Sequence, residues 1–306
     1  MRKVLLATTA LVAMGGVSAA SADISISGSA SYNYVTNSGS GTTPAAAEDR
    51  DMNTTVDMDI TASATMDNGM VAGGNISLHE TGVDANSGWT LSGDFGKIGF
   101  GNSANDGFGA VNTGLTADEG DDLLATYLPT HTDSIPHSDV SITLPAVSGF
   151  TLGIGMTDGA TSAADGSQWG VTYVMDAGGM GITVGYASAS DGSNKDDSSA
   201  GVTVTSGGTT IVVATNKTTS SSVTHTANSI GASYKVSDTL TVQAYSGTTE
   251  KSDDTAYEVS DTGIGLTYTI TPGLSLSVTN NDYSGKSTSL GAESGTKTTL
   301  ALDATF

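Results

Sequence analysis

The stretch DMNTTVDMDITASATMDNGMVAGGNISLH, residues 51–79, has the pattern of two short strands joined by a tight turn. Before the turn, apolar side chains fall at even positions and Asp, Asn or Thr at odd positions. Asp67-Asn68-Gly69 has the composition of a tight hairpin turn, and alternation resumes after it. Because successive side chains of a strand point to opposite faces, this stretch predicts a hairpin with one apolar and one acidic face.

The same alternation recurs along the chain and predicts sixteen strands, of which the pair around residues 202–215 has the weakest pattern. The predicted connections alternate between short turns and longer polar loops. The longer loops include Thr36–Arg50, Ala189–Ala200 and Thr279–Gly295. Antiparallel strands joined alternately by short turns and long loops are typical of an outer-membrane β-barrel.

The composition favours lipid outside the sheet over a dry core inside it. A soluble sandwich also alternates, but hydrophobic residues make up only 37% of this chain. Lipid offers no hydrogen bonds to the backbone, so a sheet in a membrane must close on itself. We therefore predict an all-β fold, a closed antiparallel transmembrane β-barrel of sixteen strands with short periplasmic turns and long extracellular loops. The closing strand is TLALDATF, residues 299–306, with Phe306 at the membrane boundary and Asp303 facing water.

Aromatic residues cluster toward the two ends of the predicted strands, as expected for interfacial girdles. The loop-end group is Tyr32, Trp169 and Tyr186, and the turn-end group is Phe150, Tyr234, Tyr268 and Phe306. The alternative explanation is the general preference of aromatic residues for strands.

The N-terminal segment MRKVLLATTALVAMGGVSAASA, residues 1–22, has the pattern of a secretory signal peptide, which leaves residues 23–306 for the barrel. Without this segment the chain has 8 basic and 32 acidic residues, a formal charge of −24. Such a charge argues against nucleic-acid binding and favours the attraction of cations. Solubility is the alternative reason for an acidic surface.

The segment SGDFGKIGFG, residues 92–101, resembles a hairpin found in the general porins of alphaproteobacteria. Leu78-His79-Glu80, the start near Asp23 and the terminal Phe306 also fit that family. The resemblance implies a homotrimer of sixteen-stranded barrels in the outer membrane of a Gram-negative bacterium. It also implies a third loop folded into the pore, and a terminal strand ending at Phe306 that the barrel-assembly machinery reads as a signal.

The candidate third loop covers about residues 102–138 and is rich in carboxylates. Inside a pore these side chains would form an acidic constriction, and such groups favour cations. The predicted constriction residues are Asp106, Asp118, Glu119, Asp121, Asp122 and Asp133. The predicted lumen-wall residues are Asp57, Asp59, His79 and Glu80.

The family usually places basic side chains opposite the acidic loop, and this chain departs from that pattern. After the signal peptide its one arginine is Arg50, so we predict a negative lumen. A solvated acidic loop is the alternative. Calcium at the loop carboxylates is a further alternative, although no Asp-x-Asp-x-Asp-Gly loop is present.

Other chemistry has weaker support in the sequence. His131, Asp133, His137 and Asp139 lie close together, but scattered polar residues in a loop explain them better than a metal site does. No Gly-x-Ser-x-Gly elbow indicates a hydrolase. We therefore expect neither catalysis nor a cofactor.

The sequence thus predicts a passive diffusion channel for small hydrophilic solutes and ions that prefers cations. Its predicted partners are further copies of itself, outer-membrane lipid and lipopolysaccharide. One alternative is a secreted or surface β-rich adhesin without channel activity, although no fixed repeat is found. A second is a barrel that is mainly structural or specific for one solute.

Overall fold

The computed structural model describes residues 22–40, 49–79, 82–101, 139–157, 165–191, 195–287 and 291–306. These residues form sixteen antiparallel strands in one closed barrel, in which each strand pairs with its neighbours in the chain and the last pairs with the first. Their bounds are β1 Ala22–Ser40, β2 Asp49–Thr65, β3 Val71–His79, β4 Gly82–Gly93, β5 Gly96–Gly101, β6 Val140–Thr143, β7 Phe150–Thr157, β8 Gly166–Asp176, β9 Gly181–Ser190, β10 Lys195–Ser206, β11 Thr209–Ser220, β12 Val223–Lys235, β13 Leu240–Lys251, β14 Asp254–Thr271, β15 Leu274–Ser287 and β16 Gly291–Thr305. The described residues include no helix suited to crossing a membrane.

The strand register collects the apolar side chains on one face of the wall. Ile60 of β2 stands opposite Ile26 of β1 and Ile76 of β3, and Tyr32 of β1 stands opposite Leu302 of β16. Directly opposed residues share a face, so the alternation within each strand becomes a continuous apolar belt around the barrel. The predicted barrel, with its apolar face outward, is confirmed.

Burial is inverted relative to a water-soluble protein. Ile26 and Ile264 are exposed to 65% and 64%, whereas Asp261 of β14 is exposed to only 1%. A protein surrounded by water would bury the isoleucines and expose the aspartate. The inversion indicates that hydrocarbon surrounds this sheet.

The closing seam joins β1 to β16 from Ser29–Thr305 to Ser40–Ser294. Phe306 extends the seam at its periplasmic end. Its backbone N–H donates to the Gly28 carbonyl at 2.9 Å, and the Gly28 N–H donates to the Phe306 carbonyl at 2.7 Å. The aromatic ring lies against Gly28, where a Cβ would be 2.7 Å from a ring carbon. The last residue of the chain therefore takes part in closing the sheet, as the sequence predicted.

Three predicted loops are shorter in the structure than expected from the sequence. Strand pairing continues to Ser40 and resumes at Asp49, so much of the predicted loop Thr36–Arg50 is strand. The predicted loops at 189–200 and 279–295 are likewise mostly strand. Backbone hydrogen bonds do not require apolar side chains, so a polar hairpin can continue beyond the apolar belt.

The strand pair with the weakest sequence pattern is regular in the structure. β10 and β11 pair over their full length, and β11 connects to β12 through Ser221 and Ser222. These two serines have positive φ values of 50° and 73°, which a tight two-residue hairpin turn requires.

Candidate pore wall

The first wall of the lumen is formed by the inward faces of β1, β2 and β3. Asp57 stands opposite Ser29 and His79, and Asp59 stands opposite Ser27 and Ser77. The Ser77 hydroxyl donates to Asp59 Oδ1 at 2.5 Å. Asp59 is exposed and Asp57 is half-buried, so both carboxylates lie on the polar face of the open part of the wall.

Hydroxyl groups surround these carboxylates. Ser25 and Thr61 are linked at 2.5 Å between their hydroxyl oxygens, and Ser31 and Thr55 are linked at the same distance. We call the inward residues of β1–β3 the acidic wall. It can attract a cation electrostatically and can exchange hydrogen bonds with a hydrated solute.

A second wall, formed by the inward faces of β13 to β16, is much more buried. The Tyr245 hydroxyl donates to Asp261 Oδ2 at 2.6 Å, and the Tyr283 hydroxyl donates to Asn37 Oδ1 at 3.0 Å. The second bond crosses β16 and reaches β1, so it ties the two sides of the closing seam. We call this surface the tyrosine wall.

Glycines make room for the two tyrosines. Tyr245 lies opposite Gly263 and Tyr283 lies opposite Gly295. A Cβ added at either glycine would collide with the tyrosine ring. The missing side chain lets each ring lie flat against the neighbouring strand, an arrangement by which aromatic residues stabilise exposed glycines in sheets.

Sequence reasoning missed the basic residue in this wall. Lys297 is exposed to only 8% and stands opposite Asn37 and Asn281. Its inward position could have been inferred from its parity, because outward Leu300 and Leu302 have even numbers and Lys297 is odd.

His225 is a titratable residue at the extracellular end of the lumen. His225 is close to the start of β12, well beyond Ile230 of the apolar belt. Burial lowers the pKa of His225, and the positive charge of Lys251 lowers it further, while Asp253 acts in the opposite direction. The neutral form of this imidazole is therefore favoured.

The structure brings together part of the predicted site. Asp57 and Asp59 lie on one face of β2, and the backbone of His79 pairs with Asp57. Glu80 lies outside the described residues. So do all six predicted constriction residues, namely Asp106, Asp118, Glu119, Asp121, Asp122 and Asp133. Their role stays a prediction.

Candidate metal sites have no support in the part of the chain that is described. Those residues contain no group of three or more His, Asp or Glu side chains that could hold a metal ion. Of the four residues in the His131–Asp139 segment, the structure describes Asp139 alone, just before β6. Calcium at the loop carboxylates stays a prediction, because those residues are not described.

A closed sixteen-stranded barrel with an apolar outer belt and a polar interior defines a channel-type protein of the outer membrane. A family model described as Gram-negative porin matches residues 7–288. The chain belongs to this family, so it is a multi-pass outer-membrane protein and a channel rather than an enzyme. Comparison with curated proteins gives no match.

Solved structures with the same fold are only distantly similar in sequence. The anion-selective porin from Comamonas acidovorans has a TM-score of 0.65 at 15% identity, covering 94% of this chain and 100% of that one. OmpT of Vibrio cholerae in its trimer form has a TM-score of 0.69 at 14% identity, covering 94% and 100%. A mutant of Rh. blastica porin has a TM-score of 0.64 at 12% identity, covering 93% and 100%. The fold is therefore shared with porins, and one of these is described as anion-selective.

Proposed function

We propose that this protein is a passive diffusion channel that passes small hydrophilic solutes and prefers cations. The observation that carries the proposal is the acidic wall, where Asp57 and Asp59 lie two positions apart on one inward face. Carboxylates that line a pore attract cations and repel anions, and the low dielectric of the surrounding wall and membrane strengthens this effect.

Lys297 of the tyrosine wall supplies one positive charge against the two carboxylates of β2. Lys297 is nearly buried, and its charge lies among the polar side chains of β15, β16 and β1. Asp59, in contrast, is exposed. An ion that passes through the lumen therefore meets the carboxylates of β2 more directly than the lysine.

Two further parts of the proposal concern assembly. The protein forms homotrimers, which is supported by a structural neighbour described as a trimer form. The terminal strand with Phe306 serves as the signal for the barrel-assembly machinery. Its support is that the Phe306 backbone pairs with Gly28 and completes the seam.

Ion selectivity in planar bilayers tests the channel proposal. Reversal potentials in a potassium chloride gradient should show cation preference for the unmodified protein. The double variant Asp57→Asn/Asp59→Asn should move the permeability ratio of cation to anion toward one, because two inward charges are lost. Conductance that closes in three equal steps would support the trimer.

The matched control is Asp196→Asn/Asp282→Asn, which removes two carboxylates from the outward face. This control should leave the permeability ratio unchanged. Anion preference of the unmodified protein would refute the proposed selectivity, and equal effects of the two double variants would remove the acidic wall as its cause.

A further inference from the structure

The extracellular end of β12 is tied to the tip of the β13–β14 hairpin. The tip is the turn Ser252-Asp253, which follows Lys251, the last residue of β13. The Ser252 N–H donates to the Thr224 carbonyl at 2.8 Å, and the Thr224 N–H donates to the Ser252 hydroxyl oxygen, also at 2.8 Å. These two bonds extend the pairing of β12 with β13 by one residue beyond the last pair of the ladder, His225 with Lys251.

The pairing of the tip with β14 is irregular. Lys251 pairs with Asp254 of β14, but the next pair joins Glu250 to Glu258. Residues 255–257 of β14 therefore have no opposite residue on β13. Because such a bulge disrupts the ladder locally, the sheet holds the tip more firmly on the β12 side than on the β14 side.

His225 and Lys251 stand directly opposite each other at the place where the tip is attached. Both face the lumen, because each lies an odd number of residues from the outward pair of Ile230 with Ser246. The Lys251 ammonium nitrogen lies 3.2 Å from Asp253 Oδ1, which keeps this positive charge close to the tip. Like charges directly opposite each other on neighbouring strands repel. A proton on His225 would therefore create repulsion beside the two bonds that hold the tip.

The other neighbours of His225 supply no closer charge. On β11 the residue opposite it is Thr218, which is neutral. Asp197 of β10 continues the same inward row one strand further on and is exposed to only 3%. The charged residues next to this row at outward alternate positions are Lys217 and Glu250. Lys251 and Asp253 are therefore the charges on the inward face of the neighbouring strand and turn that act on the imidazole.

The protonation of His225 depends on these same groups. Burial lowers the pKa of His225 below its ordinary value of 6.5, Lys251 lowers it further, and Asp253 acts in the opposite direction. The imidazole is therefore mostly neutral at pH 7 and gains its proton as the pH falls below 6.5. Because the attached arrangement binds the proton less readily than a released one, a falling pH favours release of the tip.

We propose that His225 and Lys251 form an acid-sensitive latch at the extracellular mouth of the channel. Near neutral pH the uncharged imidazole lets the tip, Ser252-Asp253, stay bound to Thr224. In acid the two positive charges repel each other, the bonds to Thr224 break, and the tip moves across the mouth, which interrupts the ion current in brief partial closures. The latch rests on the channel function of the fold and does not depend on the proposed preference for cations.

Single-channel recording in planar bilayers between about pH 7.5 and 5 tests the latch, since Asp and Glu side chains are mostly ionised over this range. The frequency of partial closures should rise about threefold as the pH falls, the effect of one exposed charge pair. His225→Gln should remove this rise. Lys251→Gln should reduce it and move its midpoint to higher pH, whereas Asp253→Asn should enlarge it and move the midpoint to lower pH.

Lys195→Gln is the matched control, because it removes a lysine from an inward position at the same end of the barrel. Lys195 stands opposite Ser220 instead of His225, so its loss should leave the pH dependence unchanged. Each variant is scored after its barrel shows the heat-modified migration of the folded protein.

A disulfide lock separates movement of the tip from a direct effect of the imidazole charge on passing ions. The chain has no cysteine, so Thr224→Cys/Ser252→Cys can form a single bond between β12 and the tip. In the oxidised barrel the acid closures should disappear, and reduction should restore them. The proposal is overturned if closures do not increase in acid, if they persist in His225→Gln, or if they persist in the locked barrel. Reversal potentials of the same channels report separately on ion preference.

Discussion

The acidic wall and the tyrosine wall both consist of inward-facing polar side chains, but these side chains are buried to different extents in the two walls. Asp59 of the acidic wall is exposed, and its hydrogen-bond partner is the small hydroxyl of Ser77. Asp261 of the tyrosine wall is almost fully buried, and its partner is the phenol of Tyr245. The same type of residue on the same face of one sheet therefore has two different environments.

The difference separates carboxylates that are open to the lumen from carboxylates that are covered by other side chains. An exposed carboxylate acts on ions in the lumen, whereas a buried one requires its hydrogen bonds to offset the loss of hydration. The tyrosine wall also includes the bond from Tyr283 to Asn37 across the closing seam. Under the proposed function, the exposed carboxylates of the acidic wall act on permeating ions, and we expect the buried bonds of the tyrosine wall to act on stability.

The largest expected effect tests whether both walls face the lumen at all. Ile60→Arg places a charge on the outward face, five residues from the end of β2 and near the middle of the membrane. It should reduce the free energy of unfolding by about 2 to 4 kcal/mol. Asp59→Arg places the same side chain one residue away on the inward face and should cost much less. Urea unfolding of barrels in lipid vesicles measures both, and equal losses would contradict the assignment of faces.

The sequence predicts the acidic wall better than the tyrosine wall, for a physical reason. In residues 51–66 the alternation is strong. Parity alone places Asp57 and Asp59 on one face of β2 and Ile60 on the other face. The bond between Tyr283 and Asn37 joins residues 246 positions apart. It depends on the exact register of three strands, which no local pattern determines.

The same limit applies to the extracellular ends of the hairpins. The polar hairpin ends, such as Asn37 in β1, lack an apolar period, so the sequence predicts loops where the structure has strands. Backbone pairing continues there without that period.

The next effect in size compares one hydrogen bond from each wall. Tyr245→Phe removes the donor at 2.6 Å from a buried carboxylate and should destabilise the barrel by about 1.5 to 3 kcal/mol. Ser77→Ala removes the donor to exposed Asp59, where water can replace it, and should cost less than about 0.5 kcal/mol. Urea unfolding of both variants gives the two values. If the losses were the same, burial would not distinguish the walls.

The smallest of the three effects tests whether the ring of Tyr283 itself organises the tyrosine wall. Gly295→Ala would place a Cβ against the Tyr283 hydroxyl and 2.6 Å from the Ser38 carbonyl oxygen. Relief of these contacts must displace the ring or the seam, at a cost of about 1 to 3 kcal/mol. The control is Gly285→Ala in β15, which lies on the inward face like Gly295 in β16. A Cβ at Gly285 would lie 3.8 Å from Val259 Cγ2, an ordinary contact.

Tyr283→Leu in the Gly295→Ala background identifies the source of the strain. If the ring is the obstacle, the alanine should cost less in this background than in the unmodified barrel, because leucine does not reach as far across β16. If the cost is unchanged, the strain comes from the Ser38 carbonyl and the backbone of the seam. The burial of side chains in the tyrosine wall would then follow from strand spacing and would not depend on the tyrosine ring.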